Sequence, residues 1–279
     1  MSGTARAIIR VLVDNHAAPG LAAEHGLALW IETPEANILF DTGQGGALAA
    51  NAGLLGVNLA RTDAVVLSHG HYDHTGGLPV VLKSAPQAHV FAHPDFRRTR
   101  YSLRGGRAKA IGLSPASAAS LAGVAPERFH PTPGPTRITE HVYVTGAIPR
   151  RTEFEDTGGP FFLDAGGRHP DPMMDDQALW LDTPEGLVVC LGCGHAGVIN
   201  TLLHIQDLRP GRPWRMILGG LHLRAAGPQR MQRTLAALAE LHVENMAPCH
   251  CTGEDAVRTI RARFGKRVED VAAGTRMDV

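Results

Sequence analysis

The chain has no excess charge of either sign: Lys plus Arg and Asp plus Glu both number 27 in 279 residues. No global field therefore draws it to nucleic acid or to an anionic membrane surface. It contains no run of about eighteen apolar residues, so no membrane span is expected. Its start lacks the basic, apolar and small-residue regions of a secretory leader. Ala7-Ile8-Ile9-Arg10-Val11-Leu12-Val13 reads instead as a first strand, and a cytoplasmic location is the expectation. Cysteine is scarce: Cys190, Cys193, Cys249 and Cys251 are the only four. In a reducing compartment they are not expected to form disulfides. Their spacing offers a structural zinc site, but Cys190 lies inside the apolar run Gly186-Leu187-Val188-Val189-Cys190-Leu191 and reads as a small buried hydrophobe.

What the sequence does have is histidine, 15 in all. Three of them fall with an aspartate inside Ser68-His69-Gly70-His71-Tyr72-Asp73-His74-Thr75-Gly76-Gly77. Neutral imidazole and carboxylate are the ligands that borderline divalent metals prefer. The apolar run Ala64-Val65-Val66-Leu67 reads as a buried strand that delivers the cluster at its C-terminal end. Glycines at 70, 76 and 77 let the backbone turn between ligands. Residues two apart in an extended segment point the same way, so His69 and His71 face one metal. The chain then turns and presents Asp73 and His74 to a second, as in binuclear hydrolytic sites. Each metal still needs ligands from elsewhere.

Apolar residues make up 44% and charged residues 19%, an ordinary globular balance in a chain long enough for a large core. Strands are expected at 6–13, 27–32, 36–40, 63–67 and 88–92, with helices near 46–55 and 77–84. Residues 95–136 break this rhythm. They hold Arg97, Arg98, Arg100, Arg104, Arg107 and Lys109, a small-residue helix near 115–123, and the Pro-rich stretch 130–135, and are expected to form a lid or insertion. Strands then follow near 138–145, 177–182, 187–192, 214–218 and 244–248, with helices near 196–208, 228–242 and 253–263. In the helix 228–242, Met231, Leu235, Leu238 and Leu241 recur at helical spacing and read as core. Two strand-rich halves, each with helices, predict an α/β (α+β) fold of two sheets packed face to face with helices outside.

Two later histidines also follow buried strands: His195 in Leu191-Gly192-Cys193-Gly194-His195, and His250 in Pro248-Cys249-His250-Cys251. Each is a candidate metal ligand, the other reading being a histidine that caps a helix. His222, in Gly219-Gly220-Leu221-His222, is read either as a pocket residue or as part of a solvent-facing loop.

Taken in order, Asp41 in Leu39-Phe40-Asp41-Thr42-Gly43, the 69–74 cluster, His195 and His250 resemble the metallo-β-lactamase superfamily over nearly the whole chain. The strings Val13-Asp14-Asn15, Glu24-His25-Gly26-Leu27, Gly146-Ala147-Ile148-Pro149-Arg150 and Asp175-Asp176-Gln177 resemble one branch of it, typified by 7,8-dihydropterin-6-yl-methyl-4-(β-D-ribofuranosyl)aminobenzene 5′-phosphate synthase. The resemblance implies a single domain over 1–279, an αββα four-layer sandwich, with 95–136 as the lid or insertion. It implies a centre of two divalent ions, with His69, His71 and His195 on the first and Asp73, His74 and His250 on the second. Asp41 would brace the ligand loop. Where the superfamily commonly places a metal-bridging aspartate, this chain has Gly219-Gly220-Leu221-His222 and no carboxylate, so either His222 stands in or solvent alone bridges.

These readings lead to a metal-dependent hydrolase in which a metal-bound hydroxide attacks a small, anionic, phosphate-containing substrate, with a synthase-like activity as a narrower form. Asp73 and His222 are the candidate catalytic residues. Zinc is the expected metal, with manganese or iron also accepted by such ligands. Arg104, Arg107 and Arg150 are candidates to bind phosphate or carboxylate, the other reading being solvated surface charge. His16, His25, His89, His93, His130, His141, His204 and His242 are read as structural or surface residues, although His16 and His25 lie within or beside resembling strings. The competing functions are a non-catalytic metal-binding or sensing module and a di-iron redox protein. The latter is disfavoured because His71 is present and no flavin domain follows. A small-molecule substrate is expected, with no nucleic-acid or membrane partner; the oligomeric state is not legible.

Overall fold

The computed structural model describes residues 7–279, so Arg6, the first residue of the expected strand 6–13, lies outside it. In the first half the strands are β1 (Ile8–Val13), β2 (Ala28–Glu32), β3 (Asn37–Phe40), β4 (Ala64–Val66), β5 (His89–Ala92), β6 (Tyr101–Arg104), β7 (Arg107–Ala110) and β8 (Phe129–Pro131). The second half adds β9 (Thr136–Arg137), β10 (Val142–Val144), β11 (Phe161–Phe162), β12 (Ala178–Thr183), β13 (Gly186–Leu191), β14 (Trp214–Gly220), β15 (Asn245–Cys249) and β16 (Arg276–Asp278). The helices are α1 (Leu48–Leu54), the single turn α2 (Tyr72–Thr75), α3 (Leu78–Ser84), α4 (Pro115–Ala122), α5 (Val198–Leu208), α6 (Pro228–Glu240) and α7 (Glu254–Phe264).

Period-two alternation in the strands divides the core into layers. One sheet runs β16-β1-β2-β3-β4-β5-β8 and the other β15-β14-β13-β12-β10-β9. Ile9, Val11, Ile38, Phe40 and Val66 of the first sheet pack in one apolar cluster with Val144, Leu179, Val188, Cys190 and Leu218 of the second. Their sequence neighbours face the other way. Leu12, Leu39 and Val65 join Leu48, Leu78, Val81 and Leu121 of α1, α3 and α4. Leu187, Val189 and Leu191 join Leu202, Leu238 and Ile260 of α5, α6 and α7. Three apolar layers between four structural ones make an αββα sandwich.

Local signals set the helix ends. Ser114 accepts from Ser117 N at 3.1 Å, and Pro115 follows in the first turn of α4. Glu254 and Asp255 open α7 while Arg261 and Arg263 close it, matching the helix dipole. In α6, Leu238 is buried and Met231, Leu235 and Leu241 pack partly buried against the same core, as their spacing predicts.

Two differences from the sequence expectation are instructive. Residues 95–136 are not one detached insertion. β8 pairs in parallel with β5 and extends the first sheet, and α4 packs on the core beside α3. Only the β6–β7 hairpin leaves the sandwich, forming a small third sheet with β11. The expected strand 138–145 is a hairpin. Ile138 N and Thr139 N both donate to Val142 O, which folds β9 back on β10. Short polar pieces such as β6, β7 and β16 carry too little apolar alternation to signal themselves.

Leu29 is fully buried between the sheets, whereas Leu54 is 68% exposed. Leu29→Ala is expected to lower the unfolding free energy by about 2–5 kcal/mol. Leu54→Ala should cost under about 0.5 kcal/mol. Denaturant melts of both variants check this; equal losses would contradict the layer assignment.

Candidate metal centre

The parallel strands of both sheets end at the same edge of the sandwich. β3 and β4 are parallel neighbours, as are β13, β14 and β15. Asp41 follows β3, the 69–74 loop follows β4, and His195, His222 and His250 follow β13, β14 and β15. Loops at the carboxyl ends of parallel strands are where open α/β sheets place their ligands.

The side chains converge in two groups. His69, His71 and His195 bring ligand atoms within 4.8 Å of one another, and so do Asp73, His74 and His250. In the first group His69 Nε2 lies 2.9 Å from His71 Nδ1. In the second, His74 Nε2 lies 3.2 Å from His250 Nε2, and Asp73 Oδ2 is 3.8 Å from the former and 3.7 Å from the latter. Ligands about 2.0–2.2 Å from a tetrahedral ion are separated by about 3.3–3.6 Å; the second group's edges lie close to that, and the 2.9 Å His69–His71 edge is shorter. The rings of His69 and His74 are 4.3 Å apart, which puts the two groups side by side.

Four of the histidines are held by their far side. Asp41, fully buried, accepts from Ser68 N at 2.7 Å and Ser68 Oγ at 2.6 Å, and its Oδ2 is 2.7 Å from His74 Nδ1. Ser68 Oγ also meets His69 Nδ1 at 2.8 Å. His195 Nδ1 meets Thr157 O at 2.8 Å, and His250 Nδ1 meets Asn15 Oδ1 at 3.1 Å. These partners orient four imidazoles with Nε2 toward the centre. Asp14 adds an acceptor for His250 N at 2.9 Å. Arg100, fully buried, bonds Asp171 at 2.7 Å and Asp175 at 2.6 Å, and Asp175 in turn accepts from Gly70 N at 2.8 Å. A Cβ on Gly70 would overlap the Phe96 carbonyl, so the loop can pass there only as glycine. Asp41, His222 and His250 all adopt positive φ, between 47° and 59°. Strain of this kind persists where the surroundings over-determine it.

The donor set fits a metal. Burial pushes the His71 imidazole down to about 3 and His250 to about 4, and holds His69 and His195 well below their usual value. All four are therefore neutral, with lone pairs available. Burial also opposes charge on His74, but Asp41 and Asp73 outweigh it and hold that pKa at about 9. His71 Nε2 and His195 Nε2 are buried with no hydrogen-bond partner among the described residues.

The sequence profile described as the metallo-beta-lactamase superfamily matches residues 22–212. The chain belongs to this superfamily. Among curated relatives, it is 28% identical over 90% of its length, and 89% of the other chain, to the 7,8-dihydropterin-6-methyl-4-(beta-D-ribofuranosyl)-aminobenzene-5'-phosphate synthase of Methanocaldococcus jannaschii. An uncharacterized protein of the same archaeon is 31% identical over 88% of this chain and 91% of its own. Among solved structures, Tm1679, described as a metal-dependent hydrolase of the beta-lactamase superfamily, superposes with a TM-score of 0.83. It is 30% identical over 98% of this chain and 99% of that one. Members of this superfamily are mostly metal-dependent hydrolases, and divalent metals are their typical ligands. No helix among the described residues is long and apolar enough to cross a membrane.

Within this superfamily frame, the six expected ligands and Asp41 come together, and His222 lies beside them with its ring 4.3 Å from that of His195. The expected anion-binding arginines do not. Arg104 and Arg107 are exposed and pair across the outer end of the β6–β7 hairpin. Arg150 donates to the carbonyls of His195, Pro172 and Met173, so its guanidinium is spent on backbone. Arg100 is a buried brace.

Several contributors were not among the expected site residues. Cys193 Sγ lies 3.2 Å from His74 Nε2, whereas Cys190 and Cys249 sit in the layer between the sheets. Phe161 of β11 sets its ring 5.4 Å from His71 and 5.2 Å from His195. His25 reaches Asp73 Oδ2 at 3.2 Å. Asn15 and His25 had a pointer in the resembling strings, and Cys193 one in the cysteine spacing.

Asn accepts the left-handed backbone of residue 41, so Asp41→Asn isolates the lost carboxylate. Chelator competition should show metal affinity falling about 10–100-fold with the fold retained. Unchanged affinity would remove Asp41 from the bracing role. Arg100→Ala leaves two buried carboxylates unpaired and is expected to cost about 3–5 kcal/mol of stability, read by denaturant melt.

Proposed function

We propose that this chain is a binuclear metal-dependent hydrolase, with zinc as the metal, acting on a small phosphate-containing substrate. The observation that carries the proposal is the pair of convergent triads, each opened by the same six-residue loop and closed by a histidine from the second sheet. When bound, two such ions supply Lewis acidity and lower the pKa of water toward neutrality.

The chain's own groups supply the rest. Asp73 points its Oδ2 both at the second triad and at Nε2 of the exposed His25, 3.2 Å away. Phe161 covers the His71, His195 and His222 face and excludes water from that side, so the small third sheet acts as the lid. A cleft of about 710 Å³ adjoins His250 and is lined by Asn15, His16, Arg224, Arg258 and Arg261. Arg258 is paired with Glu254 and Asp255, and Arg261 with Asp270. Arg224 is exposed and makes no ion pair among the described residues. It is the guanidinium we assign to the substrate's phosphate, in place of Arg104, Arg107 and Arg150. The archaeal relative is named for making a 5′-phosphate compound, which supports a phosphate-bearing substrate and makes synthase-type chemistry the second reading.

Metal analysis of carefully prepared protein should give about two ions per chain, and His69→Ala with His195→Ala should remove the first-site ion. Under half an equivalent in the wild type would sink the proposal. Across a phosphodiester and phosphomonoester panel, Arg224→Ala should raise KM about ten- to hundredfold with kcat little changed, the worth of one charge-assisted hydrogen bond. An unaltered KM would return Arg224 to the surface.

A further inference from the structure

Cys193 is a buried group of the centre that the histidine–carboxylate arrangement leaves without a use. It follows β13 by two residues, is 3% exposed, and belongs to no core cluster. Its Sγ is 3.2 Å from His74 Nε2, a ligand of the second triad. It groups within 4.8 Å with His69 and His74, with His195 and His222, and with His250 and Cys251. One sulfur atom is thus within ligand-edge reach of atoms from both triads. For a tetrahedral zinc with Zn–S about 2.3 Å and Zn–N about 2.0–2.1 Å, the sulfur-to-nitrogen edge is about 3.5 Å.

We propose that Cys193 is a thiolate ligand of this centre, placed between the two triads and making it a mixed nitrogen–sulfur site. The proposal rests on the metal-binding reading above. Charge supports it independently of distance. His69, His71, Asp73, His74, His195 and His250 give two divalent ions a single negative charge in a buried pocket, and Gly219-Gly220-Leu221 brings no carboxylate. Asp41 acts only through the far nitrogen of His74, whereas a thiolate adds negative charge directly at the ions, where uncompensated buried charge is costly. Metal uptake releases the Cys193 proton to solvent, since a coordinating thiol binds deprotonated. Cys251 stands behind it: its Sγ is 3.4 Å from the Cys193 carbonyl oxygen, and it groups with Cys193 and His250.

X-ray absorption on the zinc-loaded full chain tests this without any assay of turnover. The expected spectrum contains a sulfur scatterer at about 2.3 Å beside nitrogen and oxygen at about 2.0–2.1 Å. The cobalt-loaded chain should show a near-ultraviolet thiolate-to-cobalt band. Cys193→Ser should lose both signals and Cys251→Ser should keep both. If Cys193→Ser fails to fold, retention of the sulfur scatterer in Cys251→Ser still assigns it. Metal bound through nitrogen and oxygen alone would overturn the proposal while leaving the metal centre standing. So would loss of the signals in Cys251→Ser. Absence of bound metal would overturn both.

Discussion

The carboxylate of Asp41 is the contact on which the centre depends. It is fully buried at the end of β3, yet it satisfies three donors that belong to the ligand loop: Ser68 N, Ser68 Oγ and His74 Nδ1. Through Ser68 Oγ it also reaches His69. One residue therefore fixes a ligand of each triad. It does so from a left-handed backbone position, φ 59°, that the packing of the two parallel strands must hold. A buried charge held by three donors is strongly stabilising in place and strongly disruptive when half-satisfied. That asymmetry makes the loop rigid before any ion arrives.

The second sheet contributes differently. His195 and His250 come from strands far along the chain, and each is oriented by a partner from another segment: the Thr157 carbonyl for one, Asn15 for the other. Arg100, Asp171 and Asp175 then tie the first-sheet loop, at Gly70, to the segment leading into β12. The centre is thus assembled only when both sheets are packed, so binding of a metal there would be coupled to folding.

Much of this was legible in the residues. The His-x-His-x-Asp-His cluster, its feeding strand, and the strand-then-glycine settings of His195 and His250 pointed to residues that the fold brings together. Period-two and helical spacing gave the layers. What escaped was whatever depends on tertiary geometry alone. The apolar run marked Cys190 as a buried hydrophobe, but nothing placed Cys193, three residues later, beside His74. Charge on Arg100, Arg104, Arg107 and Arg150 looks alike in a string of letters. In the fold the first is a buried brace, the last is bound to carbonyls, and the other two sit at a hairpin's outer end. Arg224, two residues beyond His222, carried no signal because the cleft it lines forms only when α7 packs beside β15.

The central claim is that two adjacent metal positions share the 69–74 loop. Anomalous diffraction from metal-loaded crystals tests it most directly. The account predicts two peaks about 3.5–4 Å apart, one among His69, His71 and His195 and the other among Asp73, His74 and His250. A single peak, or peaks away from these residues under saturating metal, would contradict it.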